Sequence, residues 1–253
     1  MITLKSTREI NLMKEAGRVL TLVFDELRTF IKPGVSTKQI DEVVERIITE
    51  NDCIPTEKGY CGYPASSCVS VNDTILHGIP SDKIILKDGD IVSVDIVATY
   101  QGYSADACRT YLVGSVSGSN KRLVEVTKQA FFEAVSLIKP GVHLGDICSK
   151  VQKYVEANGY SVAKDYTGHG IGREMHEDPS IPNYGSPGKG IVLQEGMTIC
   201  IEPMVLAGKD KTRVLSDGWT VKSRDGSNTA HYENTVVVTS SGYEIITMKE
   251  GEN

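Results

Sequence analysis

The stretch that decides the fold is "IVSVDIVATYQGYSADACRTYLV", which covers residues 91–113. Both of its arms are rich in Val, Ile and Tyr and alternate in polarity, which is typical of β-strands. The central "YQGY" predicts a two-residue hairpin turn, because Gly102 can adopt backbone angles that other residues avoid. The stretch therefore predicts two antiparallel strands in which Tyr100 pairs with Tyr103.

This predicted register brings two carboxylates together. It places Asp106 opposite Val97, and Asp95 lies on the same sheet face as Val97 because side chains alternate along a strand. The two aspartates are then diagonal neighbours, with backbones about 7–8 Å apart. Two surface aspartates are the simpler alternative. The apolar neighbours of Asp95 instead favour a buried pair with a positive group between its members.

A repeat extends this pattern along the chain. "IKPGV" occurs at residues 31–35 and again at 138–142. The same shift of 107 residues separates "LKDGDIVSVD", which ends at Asp95, from "LQEGMTICIE", which ends at Glu202. Two matches at one shift predict two related halves, about 1–115 and 116–253, within a single domain covering residues 1–253.

Each half is predicted to begin with a long amphipathic helix, "TREINLMKEAGRVLTLVFDELRTFI" in the first and "NKRLVEVTKQAFFEAVSLI" in the second. Second helices follow at residues 37–50 and 144–157, and Ser36 with Gln39 forms a capping-box pattern. His143 stands where Ser36 stands in the first half, so we expect a helix cap or a surface residue. Helices followed by strand runs predict an α/β (α+β) fold with helices on one face of a largely antiparallel sheet.

Composition narrows the class of protein. The chain has 27 basic and 33 acidic residues, a net charge of −6, and no Lys/Arg cluster that would favour a nucleic-acid partner. It shows no signal-peptide core and no apolar run long enough to cross a bilayer. We therefore expect a cytoplasmic protein whose thiols are reduced core residues. The cysteines, which form no Cys-x-x-Cys motif, are Cys53, Cys61, Cys68, Cys108, Cys148 and Cys200.

The second half supplies further metal-ligand types. Glu202 ends the apolar strand "TICIE", Glu233 begins "ENTVVV", and His169 lies within "GHGIG". Four carboxylates and one imidazole suit a pair of divalent ions better than a structural zinc, which prefers cysteine and histidine. Water that bridges two such ions becomes a nucleophile near neutral pH.

Other motif readings are weaker. "GHGIG" is not the Gly-x-Gly-x-x-Gly of a dinucleotide site, and "HEDP" is not a His-Glu-x-x-His zinc helix. The chain contains no Gly-x-Ser-x-Gly nucleophile elbow. A structural turn would be the default interpretation of His169 alone, but the four carboxylates favour a metal ligand.

Five segments together resemble the type I methionine aminopeptidases of the M24 metallopeptidases, in their short bacterial-type form. They are "SVNDTILHGIP", "VSVDIVATYQGYSADACRTY", "TGHGIGREMHEDPSIPNYG", "EGMTICIEP" and "HYENTVVVT". The resemblance covers essentially the whole chain. It implies a pita-bread fold, with two pseudo-symmetric halves around a dinuclear metal centre. It also implies removal of the initiator methionine from nascent proteins whose second residue is small.

The resemblance implies a role for each ligand. Asp95 would bind one metal through both oxygens, Asp106 and Glu233 would bridge the two metals, and His169 and Glu202 would complete the other shell. Cobalt, manganese, iron(II) and zinc all fit this set. A metal-bridged hydroxide would attack the scissile carbonyl.

Three side chains are implied to assist the reaction. Glu202 would accept the proton and pass it to the leaving amine. His176 would donate a hydrogen bond to the scissile carbonyl, and His77 would contact the amide nitrogen of the scissile bond.

The resemblance also implies a pocket for the methionine side chain, and Cys61 lies beside it in sequence. Its wall is expected to carry no charge, so that it selects an unbranched thioether. Met175 departs from the aromatic residue often found at its position in the family. His231 could face the site and is given no role. The expected wall consists of Tyr60, Tyr63, Cys68, Met175 and Trp219.

Rival functions within the same fold are a proline-specific aminopeptidase or dipeptidase, a type II methionine enzyme and a non-catalytic binding protein. The early start of the first helix disfavours the proline-specific enzymes. The lack of room for an inserted helical segment disfavours a type II enzyme, and the full ligand set disfavours a non-catalytic protein. The expected partners are the N-termini of nascent polypeptides, with the ribosome as a candidate. We expect a monomer that engages neither a membrane nor a specific nucleic acid.

Overall fold

The computed structural model describes residues 1–249 and 251. The helices are α1 (Thr7–Phe30), α2 (Thr37–Glu50), α3 (Gly118–Val135) and α4 (Leu144–Ala157). The strands of the first half are β1 (Ile54–Pro55), β2 (Cys68–Val71), β3 (Thr74–Leu76), β4 (Ile91–Tyr100) and β5 (Tyr103–Leu112). Those of the second half are β6 (Ser161–Val162), β7 (Thr167–Gly170), β8 (Glu177–Pro182), β9 (Thr198–Ile201), β10 (Met204–Leu206), β11 (Thr212–Val214), β12 (Val221–Ser223), β13 (Thr229–His231), β14 (Glu233–Val238) and β15 (Tyr243–Ile245).

A nine-stranded sheet joins the two halves. Its order is β1-β4-β5-β14-β9-β7-β8, with β2 beside β4 and β15 beside β14. The strand pairs within it are antiparallel, as predicted. Two three-stranded sheets, β13-β10-β6 and β11-β12-β3, lie beside it. First-half strands β4 and β5 thus meet second-half strands β14 and β9 in the middle of one sheet.

The hairpin register follows the sequence prediction. Tyr100 pairs with Tyr103, and Val97 pairs with Asp106. The two turn residues have φ angles of 47° and 82°, the left-handed conformation that a two-residue hairpin turn requires. The hairpin is therefore a locally encoded unit.

The second helix of each half has the bounds that the sequence predicted. Ser36 accepts a hydrogen bond from the Gln39 amide, and Gln39 accepts one from the Ser36 amide, which completes the capping box. His143 is the N-cap residue of α4, but its side chain makes no capping hydrogen bond. Helix α3 differs from the prediction: it begins earlier, because Ser117 caps it, and it ends at Val135.

The central sheet separates an apolar core from the opposite face. Val94, Ile96 and Ala98 of β4 are fully buried in the core that α1 covers. The alternate residues, Asp95 and Val97, face a cavity on the other side. This alternation places the carboxylates where helices do not cover them.

Two smaller sequence expectations have an outcome in the structure. All six cysteines are free, and all are buried except Cys61. Within the described residues, no helix is long and apolar enough to cross a membrane.

Candidate metal centre

A cavity of about 350 Å³ opens on the face of the sheet opposite α1. Both halves contribute to it, since it lies where β4 and β5 meet the loops and strands of the second half. Its carboxylate end is lined by Asp95, Val97, Asp106, His169, Glu202 and Glu233. The remaining lining residues are Glu57, Tyr60, Tyr63, Cys68, Leu76, His77, Asp165, Tyr166, Thr167, Met175, His176 and Trp219.

The ligands proposed from the sequence come together at one end. Nε2 of His169 lies 3.6 Å from Oδ2 of Asp106 and 3.7 Å from Oε1 of Glu202. Glu233 belongs with Asp106 and His169 to a group whose potential ligand atoms lie within 4.8 Å of one another. Potential ligand atoms of both Asp95 and Glu233 lie within 4.8 Å of His231.

The electrostatics of this cluster call for positive charge. Oδ1 of Asp95, Oδ1 of Asp106 and Oε1 of Glu233 are buried and lack a hydrogen-bond partner in the described structure. Burial, followed by the neighbouring carboxylates, raises the pKa of Asp95, Glu202 and Glu233 well above the usual range. Oxygen-rich clusters of this kind are stabilised by divalent cations, which satisfy the free oxygens and remove the repulsion. The donor set therefore fits such ions.

His169 is oriented as a metal ligand. Its Nδ1 lies 2.9 Å from the carbonyl oxygen of Gly170. An Nδ1–H group that donates to this carbonyl leaves the lone pair of Nε2 facing the carboxylates.

Steric contacts explain why glycines flank His169. A side chain at Gly168 would clash with the carbonyl oxygen of Cys200, and one at Gly170 would clash with that of Asp178. Both contacts are with backbone, which cannot move aside cheaply. The glycines therefore let neighbouring strands approach His169 closely.

His231 lies beside the carboxylate cluster, although no role was predicted for it from the sequence. Its Nε2 lies 3.7 Å from Oε2 of Glu202 and 3.5 Å from Oε2 of Glu233. That nitrogen has no hydrogen-bond partner in the described structure. Burial, with a smaller effect from His77, lowers the pKa of His231 to about 3, so the ring is neutral. The spacing of two residues from Glu233 was the available signal, but a break between β13 and β14 makes the alternation unreliable there.

His176 lies at the rim of the cavity. Its ring centre is 4.3 Å from that of His169, and its Nδ1 lies 2.9 Å from the Tyr60 hydroxyl. One side of the ring is open to solvent. Burial of the rest of the ring, followed by the adjacent His169, lowers the pKa of His176 to about 4. The imidazole is therefore neutral at physiological pH.

His77 is held in an unusual backbone conformation. Its φ of 53° lies in the left-handed region, which a non-glycine residue adopts at some cost. Its ring stands edge-on to Trp219 and to Tyr166, with centre distances of 6.1 and 6.4 Å. Burial lowers the pKa of His77, which keeps this imidazole neutral as well.

The five residues expected to form the methionine pocket all line the cavity. Tyr63 is buried and stands edge-on to Trp219, with ring centres 5.0 Å apart. Its hydroxyl donates to the carbonyl oxygens of Ser67 and Gly78 at 3.2 and 3.1 Å. These bonds hold the aromatic wall in place. Cys61 is exposed and is not among the lining residues.

Glu57 is a lining residue that was not predicted from the sequence. Glu57 lines the same cavity and is only 7% exposed. It precedes the turn at Tyr60 in "TEKGYCGY", where a glutamate suggests a solvent-exposed loop. Only the fold of this loop beneath Cys68 reveals that its carboxyl group is inside.

Comparisons with known proteins agree with this geometry. Residues 11–240 match the family model described as metallopeptidase family M24. The chain is 47% identical to methionine aminopeptidase 1 of Bacillus subtilis over 247 residues, which covers 98% of this chain and 99% of that protein. It is 42% identical to the methionine aminopeptidase of Escherichia coli, with 99% and 96% covered.

Solved structures show the same fold. A methionine aminopeptidase from Thermotoga maritima has a TM-score of 0.97 at 46% identity, covering 98% of this chain and all of the other. A prolidase from Pyrococcus furiosus has a TM-score of 0.78 at 25% identity and is matched over 66% of its length. The predicted pita-bread fold is thereby confirmed.

Proposed function

This chain belongs to metallopeptidase family M24, and on that basis we propose that it hydrolyses the first peptide bond of polypeptides that begin with methionine. It is a metal-dependent aminopeptidase: it belongs to a metallopeptidase family, and the methionine aminopeptidases it resembles match it over nearly their full length. The favoured substrate has a small second residue. Residues 1–253 act as a single catalytic domain, in which the two halves meet at the metal centre.

In this proposal the carboxylate end would hold two divalent ions per chain. Asp106 and Glu233 would contribute to both ions, Asp95 to one, and His169 and Glu202 to the other. Three carboxylate oxygens without partners support this division, and so does Nε2 of His169, which faces Asp106 and Glu202. Cobalt, manganese, iron(II) and zinc all suit these ligands.

Bound divalent ions would polarise the scissile carbonyl and lower the pKa of a water molecule. Glu202 then moves the proton: its carboxyl group takes the proton released on attack and returns it to the leaving amine. The position of Glu202 supports this role, because it lines the cavity and its Oε1 lies 3.7 Å from Nε2 of His169.

His176 and His77 orient the scissile peptide bond. The hydroxyl of Tyr60 lies 2.9 Å from Nδ1 of His176. In the tautomer in which this hydroxyl donates to Nδ1, the imidazole proton is on Nε2 and can be donated to the developing oxyanion. His77, which stands between Trp219 and Tyr166, contacts the amide nitrogen. Both rings act in their neutral form.

The site of action follows from the substrate. Initiator methionines appear where ribosomes release nascent chains, so we place the activity in the cytoplasm, with nascent N-termini as partners. The ribosome is a candidate partner. We propose a monomer, because one chain supplies every proposed metal ligand.

The observation that carries this proposal is the convergence of buried carboxylates without partners beside His169. The test is release of methionine from Met-Ala-Ser by chelator-treated protein, before and after addition of each metal. Activity should require metal, and Met-Lys-Ser should be cleaved at least about tenfold more slowly, because a large second residue displaces the carbonyl from its attacker.

Three results would contradict the proposal. They are full activity of metal-free protein, equal cleavage of Met-Ala-Ser and Met-Lys-Ser, and preferential cleavage of Xaa-Pro peptides whose first residue is not methionine. The last would indicate a prolidase-like activity.

A further inference from the structure

The segment that carries His176 lies between β7 and β8 and has no regular secondary structure. We call residues 172–176 the rim loop. The amides of Arg173 and Glu174 both donate to Oε1 of Glu177, at 2.9 and 3.3 Å. This carboxylate oxygen accepts the hydrogen bonds that backbone carbonyls would accept in a helix or a strand. The shape of the rim loop therefore depends on where the Glu177 carboxylate lies.

The N-terminal segment of the chain holds the other oxygen of that carboxylate. Nζ of Lys5 lies 2.6 Å from Oε2 of Glu177, and the Thr3 hydroxyl donates to the same atom at 2.9 Å. The Lys5 side chain is 6% exposed and that of Glu177 is 15% exposed, so solvent screens this ion pair little. The Lys5 amide donates to the carbonyl oxygen of Gly196 at 2.7 Å. The cation is therefore fixed to the turn ahead of β9.

Close packing of this ion pair on the rim loop explains the third glycine of "GHGIG". A Cβ atom at Gly172 would lie 2.4 Å from Cε of Lys5 and 2.6 Å from Oε1 of Glu177. A side chain at this position would push both members of the ion pair away from the loop. The lysine stem and the carboxylate therefore lie directly against the loop backbone.

Removal of the cation would leave Glu177 charged and poorly solvated. A buried charge that loses its partner is costly, so the carboxylate would turn toward solvent and release the two loop amides. His176 directly precedes Glu177 along the chain, so its imidazole would move as well. A displacement of about 1 Å at a reacting group can lower a rate about 10²-fold.

We propose that Lys5 is a positioning residue, which acts through Glu177 to hold the rim loop and to direct His176 at the scissile carbonyl. The inference rests on the proposed function, in which His176 donates to the developing oxyanion. Lys5 is not among the residues that line the cavity, so it acts on the reaction only through the loop. Its effect on catalysis should therefore disappear when the imidazole of His176 is absent.

The first experiment is a double-mutant cycle, measured on Met-Ala-Ser with saturating metal. Lys5→Met removes the cation and keeps an unbranched side chain, and it is made both in the wild type and in His176→Ala. Lys14→Met is the matched control, because Lys14 forms a more exposed ion pair with Glu244 that does not involve the rim loop. Circular dichroism verifies the fold, and mass spectrometry gives the metal content.

In the wild-type background, Lys5→Met should lower kcat and kcat/KM together by about 10–10²-fold, because it affects the transition state rather than substrate binding. In His176→Ala, the same substitution should lower kcat by less than about twofold, because residues that act as one unit are not additive. The metal content should not change, and Lys14→Met should match the wild type.

Hydrogen exchange tests the arrangement in the wild type alone. Arg173 and Glu174 are exposed, but their amides should exchange slowly because both are bonded to Glu177. In Lys5→Met these two amides should exchange faster, whereas the amides of α3 should keep their wild-type rates.

Equal loss of kcat in the two backgrounds would overturn the inference, because Lys5 would then stabilise the fold in general. Unchanged kcat in Lys5→Met would also overturn it, and so would loss of metal from that variant. Rapid exchange of the Arg173 and Glu174 amides in the wild type would overturn it even if no variant folds. Failure of the wild type to cleave Met-Ala-Ser with any metal would instead refute the proposed function, and hydrogen exchange would still test the role of Lys5 in holding the loop.

Discussion

The first half and the second half supply their metal-ligand candidates in different ways. In the first half, Asp95 and Asp106 lie on one hairpin, β4–β5, whose ten residue pairs form an unbroken ladder. In the second half, His169 lies on β7, Glu202 directly follows β9, and Glu233 begins β14. These strands are short, and the register of β7 with β8 shifts at His169.

The difference separates local from tertiary causes. A two-residue turn and strict alternation are enough to place the two aspartates on one face. The second-half ligands depend on close approach of several backbones, which the glycines around His169 permit. The halves are tied together by Arg109 of β5, whose guanidinium donates at 2.7 Å both to the carbonyl oxygen of Glu233 and to Oδ1 of Asn234.

The largest expected loss of activity follows substitution of a hairpin carboxylate. Asp106→Asn should lower kcat/KM by at least about 10³, because an amide bridges two cations poorly while the chain still folds. Metal content by mass spectrometry and rate on Met-Ala-Ser are the measurements. Wild-type turnover by this variant would remove Asp106 from the centre.

The next largest loss of activity is expected at His176 of the second half. This variant distinguishes a metal ligand from a hydrogen-bond donor to the substrate. His176→Ala should lower kcat about 10²–10³-fold, as loss of one oxyanion donor does, without loss of metal. Tyr60→Phe, which removes the partner of Nδ1, should have a smaller effect in the same direction. If metal is lost from His176→Ala, the division between ligands and donors is wrong.

A pair of glycine substitutions tests the comparison directly. Gly170→Ala should cost about 1–3 kcal/mol of unfolding free energy or more, because the added methyl meets the Asp178 carbonyl. Gly102→Ala has open space around it and should cost only about 1 kcal/mol, from its positive φ.

Urea unfolding of both metal-free glycine variants gives these values. Metal affinity, measured by titration, should fall only for Gly170→Ala. Equal losses of stability and of metal affinity in the two variants would mean that the second half is no more dependent on tertiary packing than the hairpin.

The smallest expected effect is a pH dependence confined to the first half. Glu9, in the first turn of α1, accepts hydrogen bonds from the Tyr103 hydroxyl at 2.5 Å and from Ser6. These bonds lower the pKa of Glu9 from 4.5 to about 2. A lowered folded-state pKa means that the stabilisation is complete above pH 4.5 and is lost as the pH falls toward 2.

Glu9→Gln should therefore be less stable than the wild type at pH 7, with a difference that narrows between pH 4.5 and 3. Ser117→Ala at the start of α3 is the second-half control, since that helix has no acidic residue in its first turn and the loss should be independent of pH. A constant Glu9→Gln difference from pH 7 to 3 would contradict the assignment. Urea unfolding across this range measures both.

Much of the architecture could be predicted from the sequence because it depends on local patterns. The bounds of α2 follow from its capping box and from amphipathic spacing, and those of α4 follow from amphipathic spacing. The hairpin register follows from "YQGY". The end of α3 was placed too far along the chain. The predicted helix continued to Ile138, but Ser136 and Leu137 form a turn ahead of Pro140.

The sequence by itself determined an antiparallel fold, two aspartates on one face, and a supply of carboxylates and histidines suited to metal. Only the tertiary structure decided that Glu57 lies inside the cavity and that His231 stands beside Glu202 and Glu233. The physical reason is the range of the interactions. Alternation, caps and tight turns act between residues a few positions apart, whereas burial of these two side chains depends on segments that are far apart in sequence.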